Sequence, residues 1–107
     1  FTVYGPWGRP DMMIWDFTRR IFAGEPITIF NHGQMRRDFT FIDDIVAGVI
    51  ATLDSPPRDD GLEKAGGSMA PHAIYNLGNH RSEELLHVVD LIEKACGRTA
   101  ERVYLPM

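Results

Sequence analysis

Apolar residues recur along this chain with two different spacings, and their order predicts its secondary structure. Short apolar or alternating runs of strand type occupy residues 1–4, 27–30, 36–42, 73–78 and 102–105. Spacings of three and four residues, typical of amphipathic helices, predict helices that begin near Asp11, Asp43 and Ser82. Because strands alternate with helices, the pattern predicts an α/β fold with about three helices and short strands.

Residues 35–45 form the stretch around which we expect the rest of the chain to be organised. Residues 37–41 alternate polar and apolar side chains, as a strand does, and Asp43 and Asp44 then begin a helix with negative charge at the positive end of its dipole. The apolar face of this helix is the most regular in the chain and comprises Ile42, Ile45, Val46, Val49, Ile50 and Leu53. We therefore predict a helix directly after a strand that carries Arg37, an arrangement suited to binding an anion.

Glycine and proline residues mark both ends of the first predicted helix. Two of each lie in residues 5–10, a turn too rigid for a regular element, and Asp11 is the expected N-cap or first-turn residue. Gly24 ends the helix, and Arg19 and Arg20 lie in its last turns, where cations interact favourably with the helix dipole. The first helix is thus expected to run from about Asp11 to the residues before Gly24.

Two further segments are predicted to connect elements rather than to form them. Residues 31–34, Asn-His-Gly-Gln, are the expected turn of a hairpin between the strands at 27–30 and 36–42. Residues 55–72 are rich in Pro, Gly, Asp and Ala and lack periodicity, which predicts a flexible surface loop. All of these elements fit one domain that spans residues 1–107.

Composition narrows the possible functions. The 107 residues carry a net charge of −4 and no basic run longer than two, so no affinity for nucleic acid is expected. No apolar stretch is long enough to cross a membrane, and a single cysteine, Cys96, excludes an internal disulfide bond and fits a reducing, cytoplasmic compartment. The four histidines lack the spacing of metal ligands, and the motifs Gly-x-Ser-x-Gly and Gly-x-Gly-x-x-Gly are absent. We therefore expect no metal site, nucleophilic serine or dinucleotide site in this chain.

Recognition of an anion is the chemistry for which the sequence offers candidate residues. Arg9 lies in the rigid turn just before a predicted helix, where backbone N–H groups are free to bind phosphate or carboxylate. Arg37 lies on a predicted strand, and two guanidinium groups on separate rigid elements can clamp a pyrophosphate. From spacing alone the simpler alternative is favoured, in which Arg9 is a solvated turn residue and Arg37 pairs with a neighbouring aspartate.

These residues also carry a resemblance to a known family. Residues 2–12, Thr-Val-Tyr-Gly-Pro-Trp-Gly-Arg-Pro-Asp-Met, are similar to the nucleotide-sugar epimerases of the extended short-chain dehydrogenase/reductase superfamily, and so are residues 31–45 and 74–78. The form Gly-Pro-Trp-Gly-Arg-Pro-Asp-Met resembles the UDP-glucuronate 4-epimerase branch most. The likeness extends over residues 1–107, and residues 55–72 are a longer excursion than the family pattern implies.

The resemblance implies the C-terminal, substrate-binding portion of a longer, Rossmann-type enzyme. In the family, an N-terminal Rossmann domain binds NAD and carries a Tyr-x-x-x-Lys pair, whereas Tyr4 and Tyr75 here are not followed by lysine four residues later. The implied reaction oxidises C4 of UDP-glucuronate with NAD and returns the hydride to the opposite face, which gives UDP-galacturonate. The chain alone is therefore expected to be an inactive fragment of an isomerase.

Two alternatives to this reading stay open. One is a nucleotide-sugar 4,6-dehydratase or decarboxylase of the same superfamily, which differs in the Ser/Thr-Tyr-Lys region that this chain lacks. The other is a non-catalytic module that binds a nucleotide sugar. The resemblance further implies a homodimeric intact enzyme, and exposed strands at residues 1–4 and 74–77 would allow the isolated chain to self-associate.

The resemblance assigns substrate contacts, and no catalytic residue, to this chain. Thr2 is expected near the hexuronic acid, and the turn with Arg9 near the sugar and the diphosphate. Residues 28–30 are expected to lie along the uracil, and Arg37, oriented by Asp38, to bind the diphosphate. The implied substrate-binding set is Thr2, Arg9, Asp11, Met12, Thr28, Ile29, Phe30 and Arg37.

Overall fold

The computed structural model describes the whole chain, residues 1–107, as three α-helices and five short strands. The helices are α1 (Met13–Ala23), α2 (Ile42–Asp54) and α3 (Leu85–Cys96). The strands are β1 (Thr2–Tyr4), β2 (Ile27–Ile29), β3 (Arg36–Phe41), β4 (Ser82–Glu84) and β5 (Arg102–Tyr104). The predicted α/β class is confirmed. None of the three helices combines the length and the hydropathy that crossing a membrane requires.

The strands form two small sheets, and the predicted hairpin between β2 and β3 is wrong. In one sheet β3 pairs in parallel with β1 and antiparallel with β4, whereas in the other β2 pairs in parallel with β5. The residues between β2 and β3, Phe30–Gly33, form a 3-10 turn in which Asn31 and His32 adopt left-handed φ angles of 51° and 50°. Because this turn redirects the backbone, β2 and β3 enter different sheets.

One hydrophobic core joins α1 and α3 to the two sheets. Its buried side chains are Phe17, Ile21, Ile27, Ile29, Phe39, Leu85, Val88, Val89 and Ile92. Both helices end at a glycine in the left-handed conformation, Gly24 after α1, as predicted above, and Gly97 after α3. An ion-paired cluster ties α3 to β5, since Nη2 of Arg102 donates to Glu93 at 2.8 Å and to Asp90 at 2.6 Å.

Helix α2, whose apolar residues recur at helical spacing, is the least buried of the three. It carries Asp43 and Asp44 in its first turn, as predicted, yet none of its residues is buried. On the apolar face Val49 is 54% exposed and Leu53 is 77% exposed. Its main neighbours are β1 and β3, and they leave most of this face uncovered. The chain is accordingly elongated, with a radius of gyration of 18.3 Å, against about 13 Å for a compact chain of similar length.

The segment between α2 and β4 contains no helix and no strand. The predicted strand at residues 73–78 is therefore wrong. A strand needs a neighbouring backbone to pair with, and the N–H of Ile74 instead donates to the carbonyl of Ala65 within the same segment. Residues 55–72 lack regular structure, as expected, and their flexibility stays a prediction.

Two helices begin later than the sequence indicates. Residues Ser82–Glu84 pair with β3 as β4, so that α3 begins only at Leu85. Hydrogen bonds from the Arg36 guanidinium to the hydroxyl and the carbonyl oxygen of Ser82 hold this residue beside β3. Helix α1 begins at Met13, and no side chain caps it. The expected N-cap, Asp11, lies in the preceding turn.

Candidate functional site

A cleft of about 450 Å³ lies where α1, β1, β2 and β3 come together. The predicted site residues that line it are Thr2, Asp11, Met12, Thr28, Phe30 and Arg37. Helix α1, β2 and β3 are held around this cleft by the buried core, and β1 by its pairing with β3. The fold therefore brings six of the eight predicted residues to one concave surface.

The side chain of Arg37 is the unpaired cation of this cleft. It is exposed and makes no hydrogen bond or ion pair with the protein. Its neighbour Arg36 points to the other face of β3, as the alternation of a strand requires, and there it binds Glu84 at 3.0 Å and the Ser82 hydroxyl at 3.1 Å. The alternative in which Arg37 pairs with a neighbouring aspartate is therefore wrong. A charge without a protein partner in a cleft is suited to an anionic ligand.

Asp38 does not orient Arg37 as expected. Its carboxylate accepts the backbone N–H of Asn79 at 3.0 Å and the hydroxyl of Thr40 at 2.8 Å. The N–H of Asn79, followed by the Thr40 hydroxyl, holds the pKa of Asp38 below its ordinary value, because both donors favour the charged form. Asp38 thus anchors residues 76–80 to β3, and Arg37 is left free.

Arg9 lies in a second cleft, of about 360 Å³, which adjoins the first. The two clefts share Thr2 and Met12 in their walls. The Arg9 guanidinium donates from Nε to the Asp11 carboxylate at 3.0 Å, and this hydrogen bond lowers the pKa of Asp11. Both side chains are exposed. The proposed clamp of Arg9 with Arg37 in one cleft is therefore not formed, and the two arginines line adjoining clefts.

Ile29 does not line either cleft. Its side chain is 0% exposed and belongs to the hydrophobic core. Its carbonyl oxygen accepts the N–H of Leu105 at 2.9 Å. Because side chains alternate along a strand, the neighbours of Ile29 face outward, and Thr28 and Phe30 reach the cleft.

Several residues of the first cleft are not among those predicted from the sequence, and the charged ones are Asp16 and Arg20. The Nε of Arg20 donates to both carboxylate oxygens of Asp16, at 2.8 and 3.0 Å. The signal for this pair is present in the sequence, since the two residues are four apart on a helix and therefore adjacent on its surface. The interpretation of Arg20 as a cation that complements the helix dipole obscured it.

The structure contains no cluster of metal-ligating side chains, and its one glycine turn between a strand and a helix is closed by packing. No three His, Cys, Asp or Glu side chains come together as metal ligands. The one glycine-containing turn between a strand and a helix, residues 5–8, does not fit a dinucleotide. A Cβ at Gly5 would lie 2.6 Å from Ile42 and 2.9 Å from Phe41, so this glycine serves the packing of the turn on α2 and not the approach of a phosphate.

Sequence similarity and the fold together define the class of protein. The chain belongs to the NAD dependent epimerase/dehydratase family, whose family model matches residues 1–78. It is 46% identical over 110 residues to UDP-glucuronate 4-epimerase 1 of Arabidopsis thaliana, and 43% identical over 113 residues to a probable UDP-glucuronate 4-epimerase of Rhizobium meliloti. These alignments cover 100% of this chain but only 26% and 33% of the two relatives.

A solved structure agrees with this assignment. The UDP-glucuronic acid 4-epimerase of Bacillus cereus, in complex with UDP-glucuronic acid and NAD, superposes with a TM-score of 0.78 at 32% identity. The superposition covers 99% of this chain and 30% of that one. The resemblance seen in the motifs is therefore confirmed, and so is the Rossmann-type, extended short-chain dehydrogenase/reductase class of the fold.

Proposed function

We propose that this chain is the substrate-binding portion of an NAD-dependent nucleotide-sugar epimerase that converts UDP-glucuronate to UDP-galacturonate. The observation that carries the proposal is the unpaired Arg37, which lines a cleft together with Thr28 and Phe30. The cleft offers what a nucleoside diphosphate requires, a cation for the phosphates beside polar and aromatic groups for the base. The identity to UDP-glucuronate 4-epimerases supports this choice of substrate.

In this proposal the substrate spans both clefts. Arg37 binds the diphosphate, Thr28 and Phe30 contact the uracil, and Thr2 and Met12 lie at the junction between the nucleotide and the sugar. The sugar then occupies the cleft of Arg9, and its carboxylate replaces Asp11 as the partner of the Arg9 guanidinium. The exposed position of the Arg9–Asp11 pair supports this exchange, because exposed ion pairs contribute little stability.

The chemistry of hydride transfer belongs, in this proposal, to a part of the whole protein that lies outside this chain. NAD supplies an acceptor and then a donor of hydride at C4 of the sugar. The residues of this chain bind the nucleotide and orient the sugar toward that cofactor, and they move no proton. The absence of a fitting dinucleotide turn at Gly5 supports the assignment of NAD to other residues.

We further propose that the whole protein is a cytoplasmic homodimer. The single unpaired Cys96 suits a reducing compartment. The isolated chain self-associates through the outer edge of β1, which has no strand beside it. The substitution Val3→Lys on this edge should reduce the sedimentation coefficient to that of a monomer, whereas an unchanged coefficient would contradict edge pairing.

The test of ligand binding is calorimetric titration of the chain with UDP-glucuronate and with UDP. Replacing Arg37 by alanine removes the free cation, and we expect binding of both ligands to weaken at least about tenfold. Arg36→Ala is the matched control, since it removes the adjacent arginine on the opposite face of β3 and should leave binding unchanged. If the folded chain binds neither ligand, or if both variants bind as the unaltered chain does, the proposal is wrong.

A further inference from the structure

Arg20 is a second guanidinium in the wall of the nucleotide cleft, and the protein holds it in place. It lies on α1 and lines the same cleft as Thr28 and Arg37. Two of its nitrogens are engaged, because Nε donates to both oxygens of Asp16 and Nη1 lies 3.5 Å from the carbonyl oxygen of Pro26. The third nitrogen, Nη2, has no acceptor in the protein. A guanidinium that is oriented by Asp16 and keeps one donor nitrogen free can donate to an acceptor of a ligand.

The contacts of Arg20 place it at the β2 end of the cleft. Pro26 immediately precedes β2, the strand that carries Thr28. Arg37 lies on β3, which belongs to the other sheet. The cleft therefore has one arginine on each side: Arg37 without any partner, and Arg20 oriented beside the strand that the proposed function assigns to the base.

We propose that Arg20 is a specificity-determining residue, whose free Nη2 donates a hydrogen bond to the carbonyl oxygen at C4 of a uracil base. This inference rests on the proposed function and deepens it. Uracil presents an acceptor at C4, as thymine does, whereas cytosine presents an amino group that donates. A guanidinium has donors and no acceptor, so it can donate to the carbonyl oxygen of uracil but leaves the amino group of cytosine without a partner.

The role of Asp16 follows from the same geometry. Its carboxylate binds Nε of Arg20 and is a positioning group, because it fixes the plane of the guanidinium from one side. The pair is four residues apart on one helix, so it forms without contribution from the ligand. Arg20 is then oriented before the base arrives, and little side-chain entropy is lost on binding.

The experiment compares the affinities of UDP, UMP and CDP for the chain and for Arg20→Met, a variant that keeps the length of the side chain but removes its donors. We expect the unaltered chain to prefer UDP to CDP by about tenfold, the usual range for one hydrogen bond to a charged group. In Arg20→Met both UDP and UMP should weaken by about tenfold, CDP should change less, and the preference for uracil should largely disappear.

The control variant is Lys94→Met, which removes one positive charge from an exposed position of α3 that lines neither cleft. It should leave all three affinities unchanged. Circular dichroism and the unfolding midpoint of each variant establish that it is folded.

Each other outcome separates the inference from the proposed function. If Arg20→Met weakens UDP but not UMP, the guanidinium serves the second phosphate and the inference is wrong. If UDP and CDP weaken equally, Arg20 does not distinguish the bases and the inference is again wrong, while the proposed function stands. If the unaltered, folded chain binds neither UDP nor UMP, the proposed function itself fails.

Discussion

Helices α1 and α2 both carry an apolar stripe at helical spacing, but only the stripe of α1 is buried. Phe17 and Ile21 of α1 lie in the core against α3 and β2, whereas α2 has no buried residue. Both helices are amphipathic: α2 is the more apolar of the two, and α1 separates its apolar and polar residues more sharply. Their surroundings differ more, because α1 packs on a second helix, whereas α2 packs on the short strands β1 and β3 and on the side chain of Leu77.

The regions around α1 and around α2 are stabilised by different interactions. Burial of apolar area and ion pairs between elements stabilise the region of α1, α3, β2 and β5. The region of α2 depends on local helical hydrogen bonds, on strand pairing and on single anchors such as Asp38. The candidate clefts lie on the packed region or at its border with β1, so they are built on its rigid elements.

The largest change in the free energy of unfolding is expected from matched substitutions in α1 and α2. Ile21→Ala empties space in the core, where Ile21 is 3% exposed, and should lower the free energy of unfolding by about 2–5 kcal/mol. Ile50→Ala on α2, where the side chain is 52% exposed, should change it by less than about 0.5 kcal/mol. Urea unfolding of the two variants measures both values. If Ile21→Ala does not fold, Ile21→Val should still cost about 0.5–1.5 kcal/mol.

Equal losses in the two alanine variants would contradict the comparison. They would mean that the apolar face of α2 is covered in solution, for example by another copy of the chain. Sedimentation of the unaltered chain would then show an oligomer.

The second largest change in stability is expected from a substitution in the ion-paired cluster between α3 and β5. A hydrogen bond from Arg102, followed by one from the N–H of Ala100, lowers the pKa of Glu93 below its ordinary value. Since the folded pKa lies below the unfolded value of about 4.3, the stabilisation is present above that pH and is lost as the pH falls through the folded pKa. Glu93→Gln should cost about 1–3 kcal/mol at neutral pH and should make stability less dependent on pH in the acid range.

The measurement is the urea midpoint between pH 2 and 7 for the unaltered chain and for Glu93→Gln. Glu84→Gln is the control, because Glu84 forms an exposed ion pair with Arg36 and should leave the acid profile almost unchanged. Profiles that coincide for Glu93→Gln and the unaltered chain would exclude the cluster as the cause of acid sensitivity.

The smallest change in global stability is expected from a substitution of Asp38, whose main effect should be on local opening of the backbone near Asn79. Asp38→Asn weakens the acceptor for the N–H of Asn79, so residues 76–80 should separate from β3 more often. We expect faster amide hydrogen exchange at Asn79 with little change in the unfolding midpoint. Unchanged exchange at Asn79 would show that Gly78, packed against Phe1, holds the segment without the carboxylate.

The sequence predicts the local features of this fold well and the pairing of distant segments poorly. Helical spacing and the glycines at 24 and 97 locate the helices and two of their ends, because these signals act within one turn of backbone. Which strand lies beside β2 depends on β5, more than 70 residues further along the chain. The failed strand at residues 73–78 has the same cause, since a strand-like sequence forms no strand without a partner.

The candidate site divides in the same way. Arg37 and the outward residues Thr28 and Phe30 follow from alternation along a strand and from family motifs. The hydrogen-bond partners of the nearby aspartates cannot be predicted in this way. Asp38 binds the backbone of Asn79 instead of Arg37, and Asp11 binds Arg9 instead of capping α1. Such choices between neighbouring polar groups depend on ångström-scale geometry, which spacing in the sequence does not specify.

The central claim, that the free cation at Arg37 binds a diphosphate, is tested most directly by the ratio of UDP to uridine affinity. Uridine lacks the phosphates but keeps the base, so the ratio isolates their contribution. The account predicts that the unaltered chain prefers UDP to uridine by at least about tenfold, and that Arg37→Ala reduces this preference to nearly one while uridine binding stays the same. A preference for UDP that persists undiminished in Arg37→Ala would contradict it.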